Sequence, residues 1–115
     1  MNNSAKRVLE ILTYVAENST PMTVTDISRA LGYPKTSVFD IVTILCQQVF
    51  LRYENERAKT YKIGVRAYHI GMAYMNSTDL YSIAHPILTA VRDKLGETCY
   101  LAVEEDDYIF YLDKV

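Results

Sequence analysis

The sequence has few of the residues that build metal sites or disulfides. Its two cysteines, Cys46 and Cys99, form no C-x-x-C pair, and its two histidines, His69 and His85, have no cysteine or carboxylate pattern around them. Zinc sites need closely spaced cysteine and histidine ligands. We therefore expect reduced thiols, no metal site and no cofactor.

Long apolar runs and catalytic motifs are absent from the sequence as well. It has no run of about 18 apolar residues, which argues against a membrane span. Residues 1–7 lack the apolar segment of a secretory signal, which favours a cytoplasmic protein. It also has no G-x-S-x-G motif, no glycine-rich phosphate loop and no paired catalytic carboxylates. We therefore expect no enzyme activity and assign no catalytic residue.

Charge is divided unevenly along the chain. The 115 residues carry a net charge of −2, with 12 lysines and arginines against 14 acids. Residues 1–64 hold eight of these cations and six acids, whereas residues 65–115 hold four cations and eight acids. The basic half is therefore the better candidate for binding phosphate, although its excess of charge is small.

Apolar residues at helical spacing predict three helices in the first 64 residues. The first is expected to be capped by Ser4, and Thr23-Val-Thr-Asp26 has the form of a capping box that starts the second. Gly32 suits the left-handed end of that second helix. The third is expected from about residue 35 to residue 48. Two helices joined by a short turn with glycine form a helix-turn-helix, although an ordinary three-helix core would show the same pattern.

A predicted hairpin after the third helix favours the DNA-binding interpretation. Phe50-Leu-Arg-Tyr and Thr60-Tyr-Lys-Ile are β-prone runs on either side of a polar stretch. Such a hairpin would be the wing of a winged helix-turn-helix, and it carries Arg57, Lys59 and Lys62.

Residues 65–75 predict a helix that is apolar on nearly every side. A helix of this kind must be buried against something, and Ala67 and Gly71 would let a second backbone approach closely. We expect pairing with the same helix of a second copy, through Ala67, Tyr68, Gly71, Met72 and Met75. The alternative is packing onto the first helix of the same chain. A further helix over residues 79–95, with a kink or break near His85 caused by Pro86, and a second hairpin complete the prediction.

Four segments resemble the IclR family of bacterial transcription regulators, over essentially the whole chain. Ser4-Ala-Lys-Arg-Val-Leu-Glu-Ile-Leu is similar to the opening helix of the family, and Asp26-Ile-Ser-Arg-Ala-Leu-Gly-Tyr-Pro-Lys-Thr-Ser-Val is similar to its helix-turn-helix. Tyr61-Lys-Ile-Gly64 with His69-Ile-Gly71 resembles the wing end and linker helix. Leu101-Ala-Val with Tyr111-Leu-Asp-Lys-Val115 resembles the first strands of the effector-binding domain.

The resemblance implies an α+β fold, mainly α, in three parts. Residues 1–64 would form a winged helix-turn-helix DNA-binding domain, residues 65–78 a linker and dimerisation helix, and residues 79–115 the N-terminal fragment of an effector-binding domain. It also implies a regulator that binds double-stranded operator DNA as a homodimer or higher homo-oligomer. A small-molecule effector is expected only in a full-length protein, because most of that domain would lie beyond Val115.

Three positions depart from the family pattern. Asp40 stands in the third helix where the family usually has arginine, and Val49 ends that helix where it usually has glycine, so we expect a different C-terminal cap. Asp106 occupies the last hairpin turn, where glycine is usual; aspartate tolerates the left-handed region moderately well.

The predicted DNA-binding residues lie on the exposed side of the third helix and on the wing. The helical wheel and the wing cations select Lys35, Thr36, Ser37, Phe39, Asp40, Thr43, Arg57 and Lys59. Asp40 could accept a hydrogen bond from cytosine N4. The alternative, which we favour from the sequence, is a solvated carboxylate or an internal partner for Lys35 or Arg29. A different class of function, a winged helix that binds a protein and not DNA, would favour an apolar patch on this side.

Overall fold

The computed structural model describes residues 3–115, which form five α-helices and two antiparallel hairpins, as the predicted fold class requires. The helices are α1 (Asn3–Glu17), α2 (Val24–Leu31), α3 (Lys35–Gln47), α4 (Val65–Asn76) and α5 (Leu80–Leu95). The strands are β1 (Leu51–Asn55), β2 (Thr60–Ile63), β3 (Tyr100–Glu105) and β4 (Tyr108–Lys114). The chain divides into two compact units, and the boundary falls between Ile70 and Gly71 within α4.

The first unit is built around one hydrophobic core to which the first three helices and the wing hairpin contribute. Its buried apolar residues are Ile11, Val15, Met22, Ile27, Val38, Val42, Leu45, Leu51 and Tyr61. The predicted apolar face of α3 is therefore largely confirmed, with Ile41 half-buried beside the core. Burying this face leaves the opposite side of α3 in solvent.

The start and end of α2 are fixed as the sequence predicts. The Asp26 amide donates to the Thr23 hydroxyl, and the Thr23 amide donates to the Asp26 carboxylate at 3.0 Å, which completes the capping box. Gly32 ends the helix at φ 74°. The expected cap at Ser4 is wrong, because α1 already includes Ser4.

The end of α3 forms a Schellman motif around a valine. The Phe50 amide donates to the Leu45 carbonyl at 2.9 Å, and the Val49 amide donates to the Cys46 carbonyl at 3.1 Å. Val49 has φ 64°, the left-handed conformation that glycine most often supplies here. The expectation of a different cap is therefore wrong: the hydrogen bonds form, and a β-branched residue adopts the unfavourable conformation.

The wing consists of β1 and β2, joined by a turn over residues 56–59. Leu51 pairs with Ile63, and the register shifts between Tyr53 and Asn55. The Tyr61 amide also donates to the Met22 carbonyl at 3.0 Å, which ties the second strand to the segment before α2. The wing is thus connected to the helix-turn-helix at two places: β1 follows α3 along the chain, and β2 is hydrogen-bonded to the segment before α2.

Gly64 allows the chain leaving the wing to pass close to the end of α3. A Cβ atom at this position would lie 2.2 Å from the Val49 carbonyl oxygen. That oxygen accepts from the Arg66 amide at 3.1 Å, and the Gly64 amide donates to the Phe50 carbonyl at 2.8 Å. A side chain here would collide with backbone, so the position requires glycine.

Helix α4 has no buried residue, although it is apolar on nearly every side. Val65 and Tyr68 are each 68% exposed and Ile70 is 52% exposed. Residues 65–70 of α4, which lie in the same unit as α1, therefore do not cover their apolar side chains by packing onto that helix, as the alternative requires. No helix of residues 3–115 is long and apolar enough to cross a membrane.

The second unit, Gly71–Val115, contains α5 and the β3–β4 hairpin. Of the kink or break predicted near His85, the break does not occur, because α5 is one continuous helix through Pro86; Gly96 ends the helix at φ 71°. The hairpin turn places Asp106 at φ 49° and Asp107 at φ 68°. Two successive positive φ values belong to a type I′ turn, so aspartate does replace glycine in the left-handed region here.

Candidate nucleic-acid interface

A groove on the first unit brings together the exposed side of α3, the start of α2 and the wing. We call it the α3–wing groove; it is a cavity of about 540 Å³, lined by Thr23, Val24, Thr25, Lys35, Thr36, Phe39, Asp40, Ala58, Lys59 and Tyr61. Five of the eight predicted DNA-binding residues line it: Lys35, Thr36, Phe39, Asp40 and Lys59. The fold therefore brings predicted contacts from the third helix and from the wing to one surface.

The charged and hydroxyl groups of the groove suit an anionic partner. Lys35 lies at the start of α3, where the unpaired backbone N–H groups carry partial positive charge. Lys59 reaches the groove from the wing turn, where its backbone has φ 53°. Burial raises the pKa of Tyr61 to about 12, so this phenol stays neutral and adds no negative charge.

Asp40 is exposed in this groove and has no partner for its carboxylate among residues 3–115. It forms no ion pair and no hydrogen bond in this part of the chain. The interpretation we favoured from the sequence included a salt bridge to Lys35 or Arg29, and that salt bridge is not formed. The carboxylate stays available to solvent or to a ligand in the groove.

Ser37, a predicted DNA contact, does not line the groove, and its hydroxyl is hydrogen-bonded to a residue of α1. The Arg7 Nη1 donates to the Ser37 Oγ at 3.1 Å, and the same guanidinium lies 4.7 Å from the centre of the Tyr33 ring. The Tyr33 hydroxyl donates to Glu10, and this hydrogen bond raises the pKa of Tyr33. Arg7 thus brings a positive charge to the first turn of α3. It is not among the residues predicted from the sequence, because no local pattern signals a contact that spans 30 residues.

Two predicted contacts, Thr43 and Arg57, lie outside the groove lining. Thr43 is exposed, and its hydroxyl donates to the Phe39 carbonyl at 2.8 Å. Arg57 is exposed in the wing turn. Ile44, which is not among the predicted contacts, is 56% exposed, as is Phe39.

A second cavity, of about 520 Å³, lies in the second unit and suits an anion poorly. Its charged lining residues are Glu105 and Asp106, and most of the others are apolar or aromatic. Within residues 3–115 no three His, Cys, Asp or Glu side chains are grouped so that they could hold a metal ion. The lysines and hydroxyls of the α3–wing groove make it the better candidate for nucleic acid.

Two family models match the chain on either side of the boundary between the units. The model described as IclR helix-turn-helix domain matches residues 4–55, and the model described as bacterial transcriptional regulator IclR C-terminal matches residues 72–115. The chain belongs to the IclR family. The resemblance found in the sequence is therefore confirmed, and α3 lies within the helix-turn-helix part of an IclR protein.

Individual relatives match nearly the whole chain but extend well beyond it. The transcriptional repressor IclR of Escherichia coli (strain K12) is 30% identical over 114 residues, which cover 97% of this chain and 41% of that protein. The crystal structure of Pseudomonas aeruginosa HmgR matches 99% of this chain and 48% of its own at 26% identity and a TM-score of 0.74. An IclR regulator from Alicyclobacillus acidocaldarius shares the fold, with a TM-score of 0.82 at 22% identity, over 100% of this chain and 46% of its own. The chain thus spans about two fifths of the length of the curated relatives it matches.

Proposed function

We propose that this IclR-family chain is a sequence-specific transcription regulator that places α3 in the major groove of double-stranded DNA. The observation that carries the proposal is the α3–wing groove, in which Lys35 and Lys59 stand on two different elements beside the exposed face of one helix. A helix fits the major groove of B-DNA, and cations on either side of it can contact the phosphates that border that groove.

The roles of the groove residues follow from their positions. Lys35, Thr36 and the first turn of α3 would contact phosphate, because the free N–H groups and the dipole of a helix start favour an anion. Lys59 would contact phosphate from the wing. Phe39 and Asp40 lie further along α3 and would meet base edges, Phe39 through a thymine methyl group.

The matched relatives support a regulatory role. The curated relative from Escherichia coli is named a transcriptional repressor. This chain covers 41% of that protein. We therefore propose for this chain only the activity that its own residues can carry, which is DNA recognition.

We further propose that the DNA-bound form is a homodimer that pairs through α4. The support is the exposure of apolar side chains along this helix, including Met72 at 39% and Met75 at 40%. A Cβ atom added at Gly71 would meet nothing within 4 Å, so this side of the helix is open to a second backbone. Two paired subunits would present two α3 helices to two half-sites.

A protein-binding winged helix is the competing function, and the groove chemistry favours DNA over it. A protein interface would favour an apolar patch, whereas the groove has lysines and threonines around one exposed aromatic side chain, Phe39. Ile44 adds a second exposed apolar side chain to α3, but it does not line the groove.

Selection from a random duplex library tests the proposal directly. The chain is incubated with duplexes that carry a randomised centre, and the bound fraction is amplified and sequenced over several rounds. We expect a defined motif to be enriched, with two half-sites if the chain binds as a dimer. Recovery of the starting sequence distribution would contradict sequence-specific binding.

A further inference from the structure

We propose that Asp40 is a specificity-determining residue that accepts a hydrogen bond from the N4 amino group of one cytosine in the bound duplex. This inference rests on the proposed function, because it assigns a base to a residue of the same groove. It adds a prediction about the operator: each half-site contains a C·G pair whose cytosine faces Asp40.

The first observation is that the carboxylate is exposed and has no partner in the described part of the chain. Lys35 and Lys59 line the same groove, but neither forms an ion pair with Asp40. An acceptor left free in a groove that two lysines also line is available for a donor on the ligand. If the ligand is DNA, a carboxylate that finds no donor there costs affinity, because the phosphates repel it.

The second observation is the position of Asp40 along α3. It is five residues after Lys35, the first residue of the helix, which corresponds to about 7.5 Å at the rise of an α-helix. The N-terminal part of a recognition helix is the part that contacts base edges. Thr36 is one turn earlier on the same face, so phosphate contact at Thr36 and base contact at Asp40 are compatible with one orientation of the helix.

The chemistry of the major groove then selects the base. A carboxylate accepts hydrogen bonds and donates none, so it needs an amino group. Cytosine N4 and adenine N6 are the amino groups in the major groove, but adenine also presents the N7 acceptor beside N6, which repels a carboxylate. Guanine and thymine offer acceptors on this side. Cytosine is therefore the base that Asp40 favours.

The test is duplex selection with the unsubstituted chain and with Asp40→Asn and Asp40→Ala. We expect the unsubstituted chain to enrich cytosine at one position of each half-site, by about tenfold over the other bases. An asparagine side chain can donate to adenine N7 and accept from N6, so Asp40→Asn should shift that position towards adenine. Asp40→Ala should lose the preference at this position and retain it elsewhere.

Glu56→Gln is the matched control. It also removes one acidic charge from the first unit, but Glu56 lies in the wing turn and does not line the groove. It should raise affinity for all duplexes slightly and leave the enriched motif unchanged. An identical motif for the unsubstituted chain and both Asp40 variants would overturn the inference while leaving sequence-specific binding intact, as would enrichment of adenine by the unsubstituted chain. Absence of any motif with the unsubstituted chain would overturn the proposed function, and this inference with it.

Discussion

Val49 adopts a backbone conformation that is unfavourable for valine but is required by the end of α3. Its φ of 64° lies in the left-handed region, which costs an L-residue with a Cβ atom about 1–2 kcal/mol. The conformation is retained because the Schellman hydrogen bonds close the end of α3, and because the Val49 carbonyl accepts from Arg66 at 3.1 Å. The neighbouring elements therefore stabilise a conformation that valine alone disfavours.

We predict that Val49→Gly stabilises the first unit. Glycine adopts positive φ without strain, and Val49 is already 47% exposed, so little buried apolar area is lost. The expected gain in the free energy of unfolding is about 1 kcal/mol, measured by urea denaturation followed by circular dichroism.

The matched control for this prediction is Val65→Gly, at an exposed position of α4. Glycine there removes no strain and lowers helix propensity, so this variant should be neutral or less stable. A loss of stability in Val49→Gly would show that valine is not strained at the end of α3.

Helix α4 is the element whose role depends most on a second copy of the chain. Gly71→Glu should give a monomer, because the carboxylate would enter the open side of the helix where a partner backbone would lie. Sedimentation measures the mass, and circular dichroism shows whether the first unit stays folded.

Ala16→Glu is the control for the dimer prediction, since Ala16 is an exposed alanine on α1. This variant should retain the oligomeric state of the unsubstituted chain. A dimer that persists in Gly71→Glu would place the contact on another element. A dimer lost in both variants would show that the assay reports added charge.

A side-chain contact between α5 and β4 makes the second unit sensitive to acid. His85 Nδ1 and Asp113 Oδ2 are 2.5 Å apart, and this hydrogen bond holds the pKa of Asp113 below its usual value. A carboxyl group whose pKa is lowered by folding stabilises the fold above its unfolded pKa of about 3.9. This contribution is lost as the pH falls through the lower pKa of the folded state.

We predict that Asp113→Asn increases amide hydrogen exchange in β4 at pH 6, and that the difference from the unsubstituted chain disappears in acid. Exchange rates are corrected for the intrinsic effect of pH. Asp93→Asn is the control, because Asp93 pairs with its neighbour Arg92 and joins no two elements; it should leave β4 unchanged. A difference between Asp113→Asn and the unsubstituted chain that is independent of pH would contradict the account.

At the scale of the whole molecule, local patterns predicted the elements, and long-range contacts remained unpredicted. The capping box at Thr23, the glycine at the end of α2 and the β-prone runs of the wing each have a local cause, so these elements formed where expected. The contact between Arg7 and Ser37 joins α1 to α3 over 30 positions of the sequence, and no period in the sequence encodes it. Of the two states that the sequence left open for Asp40, the exposed carboxylate is the one the structure has, and the ion pair with Lys35 or Arg29 is not formed, because proximity in sequence does not fix where a cationic group lies.

The central claim is that the α3–wing groove binds duplex DNA through its cations, and the dependence of affinity on salt tests it most directly. Each phosphate contact contributes about 0.9 to the slope of log affinity against log salt concentration. Affinity for the selected duplex is measured at several salt concentrations for the unsubstituted chain and for a variant with Lys35→Gln and Lys59→Gln. The matched control carries Lys94→Gln and Lys114→Gln, which remove two cations from the second unit.

We predict that the variant with both groove lysines substituted binds more weakly and has a slope that is shallower by about 3.6, because a homodimer brings two copies of each lysine to one duplex. The control variant should keep the affinity and slope of the unsubstituted chain, because its substitutions lie outside the groove. Equal slopes for the groove variant and the unsubstituted chain would contradict the account, since phosphate would then be bound by another surface.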